Sequence, residues 1–241
     1  MAVGGDGTVN EVVNGLAEAD QAELAVIPRG TGVDFVRTFG IPGDLEAAVQ
    51  VALEGCTRTI DLGRAGYRSW QGSYEESWFA NIASAGMSGA IAKRVNESSR
   101  GRAARAAYVW ATFSVFMRWQ NTEVRVSVDD EIRGGRMHDV IVANCRYFGG
   151  GMMITPEASP DDGLLDTLLI GDITKGDLVR TLPKIYRGTH LPHPRAELLR
   201  GRVVSVDADV PLPVELDGEQ PGTTPVRFEV VPRALRLRVP A

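Results

Sequence analysis

The sequence predicts an α/β protein. It reads as a partial Rossmann-like, parallel nucleotide-binding unit followed by a β-rich, sandwich-like unit with interrupting helices. Three observations carry that reading. The first third alternates short strand runs with helix-period runs, the pattern of a parallel sheet. Glycine loops stand at its strand-to-helix joints. After Thr57 the texture changes to many short apolar runs separated by Gly, Asp and Pro clusters, as in a sandwich or barrel. The boundary falls near Gly55, giving units 1–56 and 57–241, and the last strand, near 234–239, is placed to pack back on the first unit.

Each element has a local reason. Val9, Val12, Val13 and Leu16 lie on one face of a helix, and Thr8 with Glu11 reads as a capping box that starts it at Thr8. Leu24 to Ile27 is a short buried strand closed by Pro28. A second helix holds Val33, Phe35, Val36 and Phe39 and stops before Gly40 and Pro42. A third runs from an Asp44 N-cap to a Gly55 C-cap, with Leu45, Ala48, Val49 and Ala52 inward. Strands are expected at 60–62, 78–83, 124–128, 140–143, 164–170, 203–206, 226–231 and 235–239, and helices at 103–120 and 174–187. Only Met1-Ala2-Val3 precedes the first glycine loop, against ~5–6 residues in a usual strand. The reading therefore expects a preceding βαβ unit of ~30 residues or more to be lacking, and the chain alone to be weakly active or inactive.

Composition bounds the function classes. The 241 residues, 44% hydrophobic and 24% charged, can bury a real core and do not suit disorder or a coiled coil. A net charge of −5 argues against nucleic acid as a partner. Two cysteines, Cys56 and Cys145, make no disulfide framework and suit a reducing, cytoplasmic compartment. The apolar stretch 106–119 is shorter than the ~20 residues of a spanning helix and contains Arg118, so a soluble protein is expected. The 27 glycines exceed the usual ~7% share, which calls for tight turns or close backbone approach.

Four segments carry chemistry. Gly4-Gly5-Asp6-Gly7-Thr8 joins a strand remnant to a helix, where glycine amides and the helix N-terminus suit phosphate. Asp6 would repel a bare anion and makes sense orienting a metal, a water or a hydroxyl. A plain strand–turn–helix uses the same residues. Pro28-Arg29-Gly30-Thr31-Gly32 repeats the arrangement, with Thr31 offering a hydroxyl to phosphate or capping a helix. Pro160-Asp161-Asp162-Gly163 offers carboxylates to a hard cation such as Mg²⁺, and equally reads as a turn entering a strand. Val214-Glu215-Leu216-Asp217-Gly218-Glu219 is a hairpin connector or the seat of a carboxylate base. His138, His190 and His193 lack zinc-ligand spacing. Lys93, Arg94, Arg100, Arg102 and Arg105 precede Tyr108, Val109, Trp110, Phe113, Phe116 and Met117. The aromatics are expected in the core and the basic residues on a solvated face, with contact to anionic lipid as the other reading.

Together, Gly4-Gly5-Asp6-Gly7-Thr8-Val9-Asn10-Glu11, Pro28 to Phe35, Asp161 to Asp166 and Asp217-Gly218-Glu219 resemble the diacylglycerol kinase catalytic-domain family. The likeness is to its bacterial soluble lipid kinases, relatives of sphingosine and NAD kinases. The resemblance implies ATP held by Gly4, Gly5, Asp6, Gly7, Thr8, Val9, Asn10 and Thr31. It implies Mg²⁺ at Asp162 with the carbonyls of Ser159 and Leu164. It implies Glu219 as proton acceptor with Asp217 beside it, and Asp6 as the second catalytic candidate. The implied reaction moves the γ-phosphoryl group of ATP to a lipid hydroxyl. Separately, the basic-aromatic run offers peripheral membrane contact, and an exposed sheet edge would favour a homodimer. Val33 stands where the family carries Asn. A non-catalytic nucleotide- or lipid-binding paralog and an NAD kinase are the alternatives.

Overall fold

The computed structural model describes residues 1–17, 22–30, 32–98 and 104–241. The first unit contains β1 (Ala2–Gly4), α1 (Asp6–Leu16), β2 (Glu23–Leu24), β3 (Val26–Pro28), α2 (Asp34–Thr38) and α3 (Leu45–Glu54). The rest contains β4 (Cys56–Ser69), β5 (Tyr74–Phe79), β6 (Ile82–Gly86), α4 (Met87–Ser98), α5 (Ala104–Arg118), β7 (Thr122–Val128) and β8 (Glu131–Ala143). It continues with β9 (Tyr147–Phe148), β10 (Met152–Met153), β11 (Leu165–Gly171), α6 (Lys175–Tyr186), β12 (Ala196–Gly201), β13 (Val203–Ala208), β14 (Pro213–Leu216) and β15 (Glu219–Val239).

β1 and β3 pair in parallel, with Val3 against Ile27, as the alternation of strand and helix requires. The run expected as one strand at 24–27 is split. Leu24 belongs to β2 and pairs with Leu237 of β15, whereas Val26 to Pro28 pair with β1. Pro28 ends the pairing rather than preceding its end, because a terminal strand residue can lack an N–H.

The second unit is built on long strands that pass from one layer to the other. β8 pairs with β7 through its first half and with β6 and β11 through its second. β15 pairs in turn with β14, β13 and β4. The path β8-β6-β14-β15-β13-β7 returns to β8, so these strands enclose one core. Phe79 and Phe228 meet edge to face at its centre, 5.9 Å apart, with Val126, Val142 and Val214 fully buried around them. The end of β15 leaves this layer. Leu235, Leu237 and Val239 join Val9, Val13, Phe35, Ile60 and Leu62 in the core of the first unit.

Several expectations are corrected. α1 begins at Asp6 with Gly5 as its N-cap and no side-chain cap, so Thr8 lies inside the helix. The glycines let the chain turn two residues earlier than a capping side chain would. In α3 only Ala48 is buried, and Leu45 is exposed. α4, which follows β6 directly, is a helix absent from the expected elements. Trp110, Phe113 and Met117 on α5 are exposed rather than core. Among the described residues no helix is long and apolar enough to cross a membrane.

Candidate active site

Two glycine loops pack backbone on backbone at the strand ends of the first unit. A Cβ on Gly30 would lie 2.7 Å from the Gly5 Cα, and one on Gly5 would lie 2.9 Å from the Gly32 carbonyl. The loops are stitched by Asp6 N–H to the Gly32 carbonyl (3.2 Å) and Arg29 N–H to the Gly4 carbonyl (2.8 Å). Asp6 does not face outward as a free carboxylate. Its two oxygens accept the Asp34 and Phe35 amides, both at 3.1 Å, and so cap α2. Burial raises its pKa against those two amides. Gly4 ends β1, Gly5 is the N-cap, and Gly7 and Thr8 lie in the first turn of α1, which has no side-chain cap, an arrangement suited to an anion. Thr31 lies outside the described residues.

Val9 is buried core on α1, and Asn10 is a tether. Its amide reaches Asp217 Oδ2 (3.1 Å) and the Trp78 carbonyl (3.3 Å). One turn on, Asn14 donates to the same carbonyl and accepts the Trp78 N–H at 2.8 Å. α1 is thus fastened to β5 and to the β14–β15 turn.

Asp217 is the hub of that turn. Oδ2 also accepts the Ala80 N–H (2.8 Å), and Oδ1 accepts those of Asn81 (3.0 Å) and Ile82 (2.9 Å). These amides are available because the strand expected at 78–83 breaks there. β5 ends at Phe79 and β6 starts at Ile82. Burial nevertheless outweighs the four donors and pushes Asp217 up to about 6. Asp217 (φ 49) and Gly218 (φ 94) occupy the left-handed region that a two-residue hairpin turn needs. Glu219, the next residue, is exposed, and its carboxylate is met by the Asn96 amide of α4 at 3.3 Å. Two carboxylates in one turn therefore have opposite environments: Asp217 is fully used as an acceptor, and Glu219 is open to a reactant.

The 159–166 loop docks under the same region. Asp61 of β4 accepts the Gly163 N–H (2.8 Å) and the Arg233 N–H (2.8 Å), while Asn144 spans the Asp61 and Ala80 carbonyls. Of the loop's carboxylates, Asp161 pairs with Arg58 (2.7 Å) and Asp166 with Arg200 (2.9 Å). Asp162 has no ion-pair partner among the described residues, and one oxygen accepts the Leu164 N–H at 3.0 Å. Ser159, Asp162 and Leu164 lie within this loop, and the described residues contain no group of three acidic, His or Cys side chains that could hold a metal by themselves.

Sequence reasoning missed Asp34, Asp61, Asn14 and Asn144. Asp34 is buried and accepts the Gly150 N–H (2.7 Å), hooking the Gly149–Gly151 turn to α2. Its place directly after a glycine loop was the available signal. The other three act through partners more than 60 residues away, which no local pattern shows.

Residues 1–65 match the family described as the diacylglycerol kinase catalytic domain, and residues 81–239 match the YegS C-terminal NAD kinase beta sandwich-like domain. A Mycobacterium tuberculosis protein named diacylglycerol kinase is 32% identical over 246 residues, spanning 100% of this chain and 76% of the relative. The chain belongs to the diacylglycerol kinase family. Its Staphylococcus saprophyticus relative of the same name is 27% identical over 95% of this chain and 72% of its own. A diacylglycerol kinase structure from Bacillus anthracis superposes with a TM-score of 0.71 at 20% identity, covering 98% of this chain and 74% of that one. Yeast NADH kinase, solved with NADH, superposes with a TM-score of 0.55 at 12% identity, covering 98% and 59%. Those two likenesses concern the fold: an α/β unit joined to a β-sandwich-like unit. At the family level, membership makes this a lipid kinase, hence a transferase.

Proposed function

We propose that the chain transfers the γ-phosphoryl group of ATP to the hydroxyl of a diacylglycerol-like lipid. The observation that carries the proposal is the Asp217-Gly218-Glu219 turn, which presents an open carboxylate while Asn10 ties it to the helix behind the glycine loop. In this reading the Gly5, Gly7 and Thr8 amides at the α1 N-terminus receive phosphate, with Gly4, Val9, Asn10 and Thr31 completing the nucleotide side. Glu219 takes the acceptor hydroxyl's proton as that oxygen attacks the γ-phosphorus and the bond to the bridging oxygen of ADP breaks. Asp217 holds the turn, and Asp6 holds the second glycine loop in register; both act by position.

In this reading Asp162, which has no ion-pair partner among the described residues, would hold Mg²⁺ with the Ser159 and Leu164 carbonyls as further hard oxygens. When bound there, the ion would add positive charge and rigidity beside Asp61. An open groove of about 530 Å³ between α5 and residues 210–213, where Val115, Trp119, Val210 and Leu212 lie among Arg94, Arg118, Gln120 and Asn121, is the place this reading gives an apolar tail with a polar head beside it. Exposed Trp110, Phe113 and Met117 favour peripheral membrane contact. A homodimer belongs to the same proposal; nucleic acid does not.

The test offers the chain ATP with diacylglycerol and NAD in competition. Label in the lipid supports the reading. Label in NAD favours the NAD kinase alternative, for which the yeast NADH kinase supplies a likeness of fold. ATP binding without transfer to either favours the non-catalytic paralog.

A further inference from the structure

Beneath the 217–219 turn lies a second pair of carboxyl groups that the proposed reaction does not use. Glu215 of β14 sits opposite Ser84 of β6, and Asp139 of β8 sits opposite Gly86 of the same strand. Ser84 and Gly86 are two apart on β6, so the two carboxyls come together on one face of the sheet. Both are buried, at 5% and 3% exposure, and neither has a cationic partner among the described residues. Ile82 and Ile141, which share that face, are core. An apolar side chain at 215 would serve that core at lower cost than a carboxyl.

The hydrogen bonds show what the carboxyls add. Glu215 Oε1 accepts the Gly218 N–H at 2.5 Å, and Oε2 accepts the Ser84 hydroxyl at 2.8 Å. Asp139 Oδ2 accepts the Ser88 N–H (2.9 Å) and the Ser88 hydroxyl, holding the first turn of α4. That helix carries Asn96, whose amide reaches the Gly218 carbonyl (3.4 Å) and Glu219 (3.3 Å). Gly218 is therefore gripped through both its N–H and its C=O. Its φ of 94 sets the direction in which the chain, and Glu219 with it, leaves the turn.

We propose that Glu215 is a positioning residue for phosphoryl transfer: its buried carboxyl, braced by Ser84, fixes the Gly218 amide and so aims Glu219 at the acceptor hydroxyl. The inference rests on Glu219 being the proton acceptor. The groups facing Glu215 are Ser84 on β6, Asp139 on β8 and Asp217 in its own turn. Burial first, then the two aspartates, push its pKa up to about 8, so near neutrality it holds its proton. Glutamine matches that neutral form in shape and keeps an oxygen for Gly218 N–H; leucine keeps the volume and loses the acceptor.

The test compares E215L, E215Q, E219Q and the E215L/E219Q double variant in the full chain. It uses steady-state phosphoryl transfer from ATP to diacylglycerol in mixed micelles, together with amide hydrogen exchange at Gly218. E215L is expected to lower kcat about ten- to a hundred-fold with KM for ATP within about two-fold, while E215Q stays within about three-fold of the parent. Gly218 exchange is expected to rise about ten-fold or more in E215L and to stay unchanged in E215Q. The double variant is expected to be no slower than E219Q, because Glu215 acts only through Glu219. If E215L does not fold, S84A, which removes only the brace, is expected to lower kcat about three-fold at constant KM. Parent-like kcat in E215L, an E215Q as slow as E215L, a multiplied loss in the double variant, or unchanged Gly218 exchange overturns the proposal. Parent-like activity in E219Q instead overturns the proton-acceptor reading, and the exchange data still report whether Glu215 holds the turn.

Discussion

The glycine loops of the first unit and the β14–β15 turn of the second meet at Asn10, and they are made of different materials. On the loop side, close approach is between main chains, and glycine is required at 5 and 30 because a Cβ there would strike backbone. The side chain that matters there, Asp6, works inward on the α2 amides. On the turn side the structure depends on carboxyl groups. Asp217 gathers four donors, Glu215 holds Gly218, and Glu219 is left open. The first arrangement suits a ligand recognised by charge and shape, such as phosphate. The second suits proton transfer, which needs one carboxylate accessible and its supports fixed. The two sides should therefore fail differently, the loops by steric displacement and the turn by lost acceptors.

Asp217→Asn gives the largest expected stability loss. One acceptor oxygen becomes an NH₂ facing amide donors, at a cost of about 3 kcal/mol. Urea unfolding measures it, and a loss below about 1 kcal/mol would show that the hub is dispensable. Gly30→Ala comes next. Its Cβ, 2.7 Å from the Gly5 Cα, must part the loops, so ATP affinity should fall about ten-fold with a stability loss of about 2 kcal/mol. Calorimetric titration with ATP would break the comparison if affinity were unchanged. Asn10→Ala removes the tie between the two sides and should cost about 1 kcal/mol, read from the shift in urea midpoint.

The pH dependence of stability tests the buried carboxyls of the turn side together. Burial pushes Asp217 to about 6, Asp139 to about 7 and Glu215 to about 8. The folded chain thus keeps protons that the unfolded chain releases near pH 4. Stability from these groups is full at acid pH and declines as pH rises toward about 8. Unfolding free energies at pH 5.5 and 8.5 should show the decline, and E215Q should flatten it. Asp161, held low by Arg58, acts oppositely and only in acid. A parent whose stability rises across the interval would contradict the turn side's description.

The four segments that carry the site were legible in sequence because glycine and aspartate cluster where a backbone must turn or approach another backbone. What they hold was less legible. The 78–83 run has one continuous β pattern, and nothing local shows that it breaks at Ala80 and Asn81 to lend amides to Asp217, 136 residues from Asn81. Thr8 and Glu11 satisfy a capping pattern, but the packing of Gly5 against Gly30 and Gly32 starts the helix earlier. Trp110, Phe113 and Met117 of α5 have a core composition and an exposed placement, a difference that only the fold decides. Glu215 stands inside the Val214–Glu219 segment, yet its burial depends on β6 lying alongside it.

The most direct measurement is phosphoryl transfer by Glu219→Gln beside its melting temperature. The expected result is a loss of kcat of about a hundred-fold or more, with KM for ATP and the melting temperature at parent values, because the exposed carboxylate meets one amide only, that of Asn96 at 3.3 Å, which glutamine can still meet with its oxygen. Transfer at the parent rate would contradict the assignment of the open carboxylate as proton acceptor.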